Sequence, residues 1–215
     1  MKASKVTGSP SKTFSPPLKN QSQKLAWKQW PEVDLMFLIG PAGTGKTHAA
    51  SVLAMREIHS QRASKIILVR PAVEASGEQL GFLPGEVGDK LGPYLRPVKD
   101  EIEKICAMTS QQMPAIENVP LAYMRGRNFD DCVIIVDEAQ NLNRSQFTLV
   151  CSRMCVNAKM VISGDPMQSD IGSDSFLLQA VERTRDIERV AAIRFTESEN
   201  VRHGLVPQLI RAFNG

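Results

Sequence analysis

The chain has 215 residues, of which 42% are hydrophobic, 23% charged and 6% aromatic. That is the composition of one medium-sized soluble domain able to bury a core without disulfide or metal staples. The longest apolar runs, Leu35–Ile39 and Cys132–Val136, have five residues each, too short for a membrane span or a signal-peptide core. A cytoplasmic protein with no membrane attachment is expected.

The net charge of +3 is unevenly spread, because residues 1–30 hold six lysines and no acid, leaving 20 bases against 23 acids in the rest. Residues 1–20, rich in Ser, Thr, Lys and Pro, form a basic disordered leader in this reading. Such an arm either keeps the chain solvated or adds salt-dependent contacts to nucleic-acid phosphates. An amphipathic stretch from Gln23 through Leu25, Trp27 and Trp30 predicts a short helix ending at Pro31. Next come a strand over Leu35–Ile39, a helix over 46–60 and a strand over 65–70. Residues 73–121 are an irregular excursion dense in Gly and Pro, turning helical from about Tyr94 to Met108. Further strands are expected over 131–136, 159–163 and 191–195. Continuous apolar strands alternating with helices predict an α/β domain over residues 21–215, a mostly parallel sheet with helices on both faces of a single core. Cys106, Cys132, Cys151 and Cys155 have no metal-site spacing and read as reduced buried thiols, the last two on one helix face.

Gly40-Pro41-Ala42-Gly43-Thr44-Gly45-Lys46-Thr47 fits G-x-x-x-x-G-K-[ST] between a predicted strand and a predicted helix, the context that a phosphate-binding loop requires. Glycines let successive N–H groups turn inward toward phosphate oxygens beside the positive end of a helix. Lys46 is expected on the β- and γ-phosphates of ATP, and the Thr47 hydroxyl on Mg²⁺. His48 follows directly and is grouped with the nucleotide-binding residues, packing in the first turns of the helix.

The strand over 131–136 ends in Asp137 and Glu138. Ligands of α/β sheets gather at the carboxyl ends of strands, so this pair should stand beside the phosphate loop. Asp137 can hold Mg²⁺ through water, and Glu138 can orient and deprotonate an attacking water. Two polar turns follow apolar strands, one bearing Gln140 and one running Gly164-Asp165-Pro166-Met167-Gln168. Both glutamines can approach the γ-phosphate edge, with Gln168 as the sensor. Alternatively, the second turn is a plain strand-to-helix connection capped by Asp165 and Ser169.

Asp137–Gln140 together with Gly164–Gln168 resembles motifs II and III of superfamily 1 helicases. More narrowly, the chain resembles the PhoH family of ATPases through Gly40–Thr47, LVRPA at 68–72, LGFLPG at 80–85, PYLRP at 93–97, LAYMRGR at 121–127, the two motifs above and Val201-Arg202-His203. The resemblance implies a RecA-like P-loop NTPase core, ATP and Mg²⁺ as ligands, Gln23 near the adenine and, for some members, RNA-dependent unwinding. Asn200 and Gly204 depart from the Asp and Pro usual around the Val-Arg-His run, which weakens the inference for Arg202. The nuclease activity of longer relatives is not carried over.

A γ-phosphate in transfer calls for an arginine finger. With one core, the finger would come from a neighbouring subunit, so a homo-oligomeric ring, a hexamer by resemblance, is expected. Arg202, Arg125 and Arg127 are the candidates. Arg70, Arg96, Arg125 and Arg127 could instead meet nucleic-acid phosphates, with Tyr94 or Phe82 offering a stacking face. The expected function is Mg-dependent ATP hydrolysis coupled to single-stranded RNA or DNA by a helicase-like motor. The alternative is a nucleotide-dependent switch acting on a protein partner.

Overall fold

The computed structural model describes residues 14–71, 87–201, Leu205 and Ala212, with side chains from residue 96 onward in the second stretch. Six parallel strands form one sheet: β1 (Leu35–Ile39), β2 (Lys65–Val69), β3 (Ala115–Asn118), β4 (Cys132–Val136), β5 (Lys159–Gly164) and β6 (Val190–Arg194). Their spatial order is β3-β2-β4-β5-β1-β6. The helices are α1 (Gln21–Gln29), α2 (Lys46–His59), α3 (Val87–Thr109), α4 (Arg144–Cys151) and α5 (Leu177–Thr184).

The apolar strands are buried on both sides because alternate residues serve different faces. Met36, Leu38, Ile66, Leu68, Val133, Ile135 and Val161 join Trp30, Leu53, Val98, Ile102 and Ile105 in one core. Phe37, Ile67, Ile134, Val136, Met160 and Ile162 join Phe147, Val150 and Leu177 in the other. This is the α/β sandwich that the alternation of elements predicts. Among the described residues, no helix is long and apolar enough to cross a membrane.

Four details differ from expectation. β3 lies inside the stretch read as irregular; it is a four-residue edge strand containing Glu117 and Asn118, so no apolar run announces it. α3 begins at Val87, ahead of the expected Tyr94, and runs through Pro93 and Pro97. Packing of Val98, Ile102 and Ile105 in the first core outweighs the helix-breaking tendency of those prolines. The packed chain also reaches back into the expected leader. Phe14 is buried against Trp27 and His59, while residues 1–13 lie outside the described set. Finally, α4 stops at Cys151, which is exposed, while Cys155 lies beyond the helix and is half-buried. The two cysteines therefore do not share a core-facing stripe.

Candidate functional site

β5 is inserted between β1, which feeds the phosphate loop, and β4, which ends in the acidic pair. The carboxyl ends of these three strands surround a cavity of about 270 Å³ whose lining includes Lys46, Thr47, Asp137, Glu138, Asp165 and Gln168. Gly43, Gly45, His48, Glu101 and Lys19 also border it. The sequence-predicted phosphate, metal, base and sensor residues are thus brought to one place from three strand ends.

At two of its glycines the loop leaves no room for a side chain. Gly40 has φ +153°, and a Cβ there would lie 2.4 Å from the Phe195 carbonyl oxygen. Gly45 caps α2 in the left-handed region at φ 87°, where a Cβ would strike the Gln23 amide at 2.4 Å. Lys46 Nζ donates to the Gly40 and Pro41 carbonyls at 2.6 and 2.8 Å. Thr44 Oγ1 donates to the Pro41 carbonyl at 2.8 Å. The tip is also fixed from outside: Gly40 N–H donates to the Gly164 carbonyl at 3.2 Å, and Ala42 N–H to Asp165 Oδ2 at 2.9 Å.

Gln23 is 1% exposed. Its carbonyl oxygen accepts from Lys19 N–H at 2.7 Å, and its amide donates to the Gly45 carbonyl at 3.2 Å. The residue therefore braces the loop, and its burial leaves little surface for the adenine contact expected of it. His48 is buried and ties three segments together, with Nε2 donating to the Pro17 carbonyl and Nδ1 facing Glu101 Oε1, both at 2.7 Å.

Asp137 is 8% exposed and accepts from Ser163 Oγ at 2.7 Å. Burial and then the neighbouring Glu138 charge push its carboxyl above the ordinary aspartate value, with the Ser163 bond opposing. Thr47 and Asp137 supply hard oxygen donors to the same cavity, which suits Mg²⁺. No cluster of three His, Cys, Asp or Glu side chains able to hold a metal occurs among the described residues. Here the ion would be completed by nucleotide phosphate and water.

Glu138 adopts φ 55°, ψ 40°, a left-handed conformation that costs about 1 kcal/mol or more for a side-chain-bearing residue. Its Oε1 accepts from Arg70 Nη2 at 3.1 Å, and its Oε2 from Gln140 Nε2 at 2.7 Å. Gln140 is 2% exposed. Its Nε2 also donates to the Gln168 carbonyl at 3.3 Å, and its Oε1 accepts from Asp165 N–H at 3.1 Å. Gln140 therefore couples the two motif turns, leaving Gln168, exposed on the cavity side, as the glutamine open to a ligand. Asp165 combines the expected cap, accepting from Met167 N–H at 3.0 Å, with its bond to the phosphate loop.

Ser163 and Arg70 extend the site beyond the roles that the sequence assigns: Arg70, within LVRPA, reads there only as a candidate nucleic-acid contact. Arg70 follows β2, and the pairing of Val69 with Val136 sets it beside the acidic pair. Only strand order reveals this. Two of the arginine candidates, Arg125 and Arg127, lie elsewhere. Arg127 pairs with Glu117 of β3 and stacks on Phe129, while Arg125 is exposed. Arg202 and Gly204, like Phe82, fall outside the described residues, as does the side chain of Tyr94.

The family described as PhoH-like protein matches this chain over residues 17–214. A PhoH-like protein of Bacillus subtilis (strain 168) is 44% identical over 187 residues, which cover 84% of this chain and 58% of the relative. The chain thus spans little more than half of that relative's length. Among solved structures, the large terminase of a thermophilic bacteriophage superposes with a TM-score of 0.64 at 11% identity, covering 91% of this chain and 50% of the terminase. A crystal form of that terminase in complex with ADP gives 0.62 at 12% identity, covering 89% and 49%. The shared fold is that of RecA-like P-loop ATPases.

Proposed function

The chain belongs to the PhoH-like protein family, and from that membership we propose that it hydrolyses ATP with Mg²⁺ and couples hydrolysis to single-stranded nucleic acid. The observation that carries this reading is the convergence of Lys46, Thr47, Asp137, Glu138 and Gln168 on one cavity. The loop amides and Lys46 would bind the phosphates, with Lys46 exchanging its carbonyl partners for β- and γ-oxygens. Thr47 and Asp137 would hold Mg²⁺, which when bound neutralises phosphate charge. Glu138 would orient a water and accept its proton as the water oxygen bonds to the γ-phosphorus and the bond to the β-phosphate oxygen breaks. Gln168 would register the γ-phosphate, and the Gln140 bridge would pass its state to Glu138.

An arginine finger supplied by another subunit fits the sheet order. Arg127 pairs with β3, and β2, β4 and β5 separate that strand from β1, roughly 19 Å at ordinary strand spacing. Arg127 would therefore serve a neighbouring copy, as a head-to-tail ring permits. The alternative, a switch acting on a protein partner, draws on Met167, which is 90% exposed on the turn carrying Gln168. Steady-state ATP hydrolysis with and without single-stranded RNA and DNA, at two salt concentrations and with Glu138→Gln as the blank, tests the choice. Several-fold stimulation by a strand is expected. A measurable rate indifferent to every strand would move the assignment to the protein-directed switch.

A further inference from the structure

We infer that Arg70 is a positioning residue that holds Glu138 back, and that the phosphate backbone of a bound single strand releases Glu138 by drawing Arg70 away; this rests on the ATPase and strand-coupling reading above. Both carboxylate oxygens of Glu138 already accept hydrogen bonds from within the chain, Oε1 from Arg70 and Oε2 from Gln140. Each oxygen keeps a second lone pair for a water, but while both donors are engaged the carboxylate is held in one direction and cannot turn to follow the attacking water. Of the two donors, Gln140 is buried and tied also to Asp165 and Gln168, so it is part of the fixed frame. Arg70 is 22% exposed, and its partner Glu138 is 38% exposed, so this ion pair is the one an outside anion can reach.

The surroundings of Arg70 suit a nucleic-acid strand. β2 and β3 run side by side with Leu68 opposite Asn118, so the segment after β3 emerges at the same end of the sheet as Arg70. That segment carries Tyr123, which is 54% exposed, and the exposed Arg125. Guanidinium groups for phosphates and an aromatic ring for a base are the elements of single-strand binding. A phosphate that engages the Arg70 guanidinium competes directly with Glu138 Oε1. By thermodynamic reciprocity, whatever weakens the Arg70–Glu138 pair must strengthen strand binding.

The test measures binding of a labelled 20-nucleotide oligouridylate and the matching oligothymidylate by fluorescence anisotropy, without nucleotide, to wild type, Glu138→Gln, Arg70→Ala, Arg70→Lys and the Arg70→Ala/Glu138→Gln double variant. Glu138→Gln should tighten binding about two- to fivefold, the scale of a part-exposed ion pair. Arg70→Ala should weaken it and lower the salt slope by about one, and the double variant should match Arg70→Ala. Arg70→Lys should recover part of the loss. In parallel, Arg70→Ala should raise strand-free ATP hydrolysis severalfold and abolish stimulation, an increase that loss of folding cannot produce. If wild type binds a strand but Glu138→Gln leaves affinity unchanged, or Arg70→Ala does not raise the basal rate, this inference is overturned while the coupling reading stands. If wild type binds neither strand, the coupling reading fails and the inference falls with it.

Discussion

The two ends of the sheet carry similar ingredients and put them to different use. At the amino end, Asp34, Glu57, Arg62, Asp131, Asn157, Lys159 and Arg189 border a second cavity. Of the six non-glycine residues with positive φ among those described, four (Gln61, Asp131, Asn157 and Arg189) are found there. Their charges are settled pair by pair: Arg189 forks onto Asp34, and Arg62 onto Glu57. Lys159 donates to the Trp30 carbonyl and lies over its ring. At the carboxyl end, Glu138, the one non-glycine residue with positive φ there among those described, shares a network with residues that follow β2, β4 and β5. Charge and left-handed backbone therefore do not mark the site by themselves. Convergence of shared hydrogen bonds on one cavity does.

If that contrast holds, changes at the carboxyl end should impair turnover and changes at the amino end should impair stability alone. The largest effect is expected for Lys46→Ala, with nucleotide affinity lost and kcat down about 10²–10³-fold; fluorescent-nucleotide titration and steady-state kinetics measure both. Gln140→Ala removes the bridge between the motif turns and should lower kcat about tenfold through misplacement of Glu138, with KM changing less than kcat. At the amino end, buried Glu57 accepts from Trp30 Nε1 at 2.7 Å. Glu57→Ala leaves that donor unsatisfied and should cost about 2–3 kcal/mol in denaturant unfolding, while kcat of the folded protein is unchanged.

The smallest effect concerns Asp34. The hydrogen bond from Arg189 holds its carboxyl below the ordinary 3.8, burial opposes, and the Arg189 and Lys159 charges assist. A depressed carboxyl stabilises the fold when ionised, so its contribution is present above the ordinary value and fades as pH falls through the lower folded one. Asp34→Asn should therefore melt slightly below wild type at neutral pH, and the difference should shrink on acidification.

What is legible in the sequence is what is contiguous in it. Leu35–Ile39 running into Gly40–Thr47, and Cys132–Val136 running into Asp137-Glu138, each announce a strand and the chemistry at its end. Legibility stops where function depends on which strands are neighbours. The insertion of β5 between β1 and β4 gives Asp165 its bond to Ala42 and Ser163 its bond to Asp137. Neither contact has a local signature. Gln140 reads as a ligand contact because its turn follows a strand, yet burial makes it internal wiring. β3 gives no signal because an edge strand need not be apolar, and the start of α3 is hidden because tertiary packing overrides its prolines.

The central claim, that Glu138 is the base in a hydrolytic site, is tested most directly by the nucleotide that the protein retains. Wild type and Glu138→Gln are incubated with Mg²⁺ and ATP, separated from free nucleotide, and the bound ATP and ADP are quantified over time. The account predicts that Glu138→Gln binds ATP and holds it intact while wild type converts it to ADP and phosphate. Conversion by Glu138→Gln at the wild-type rate would contradict it.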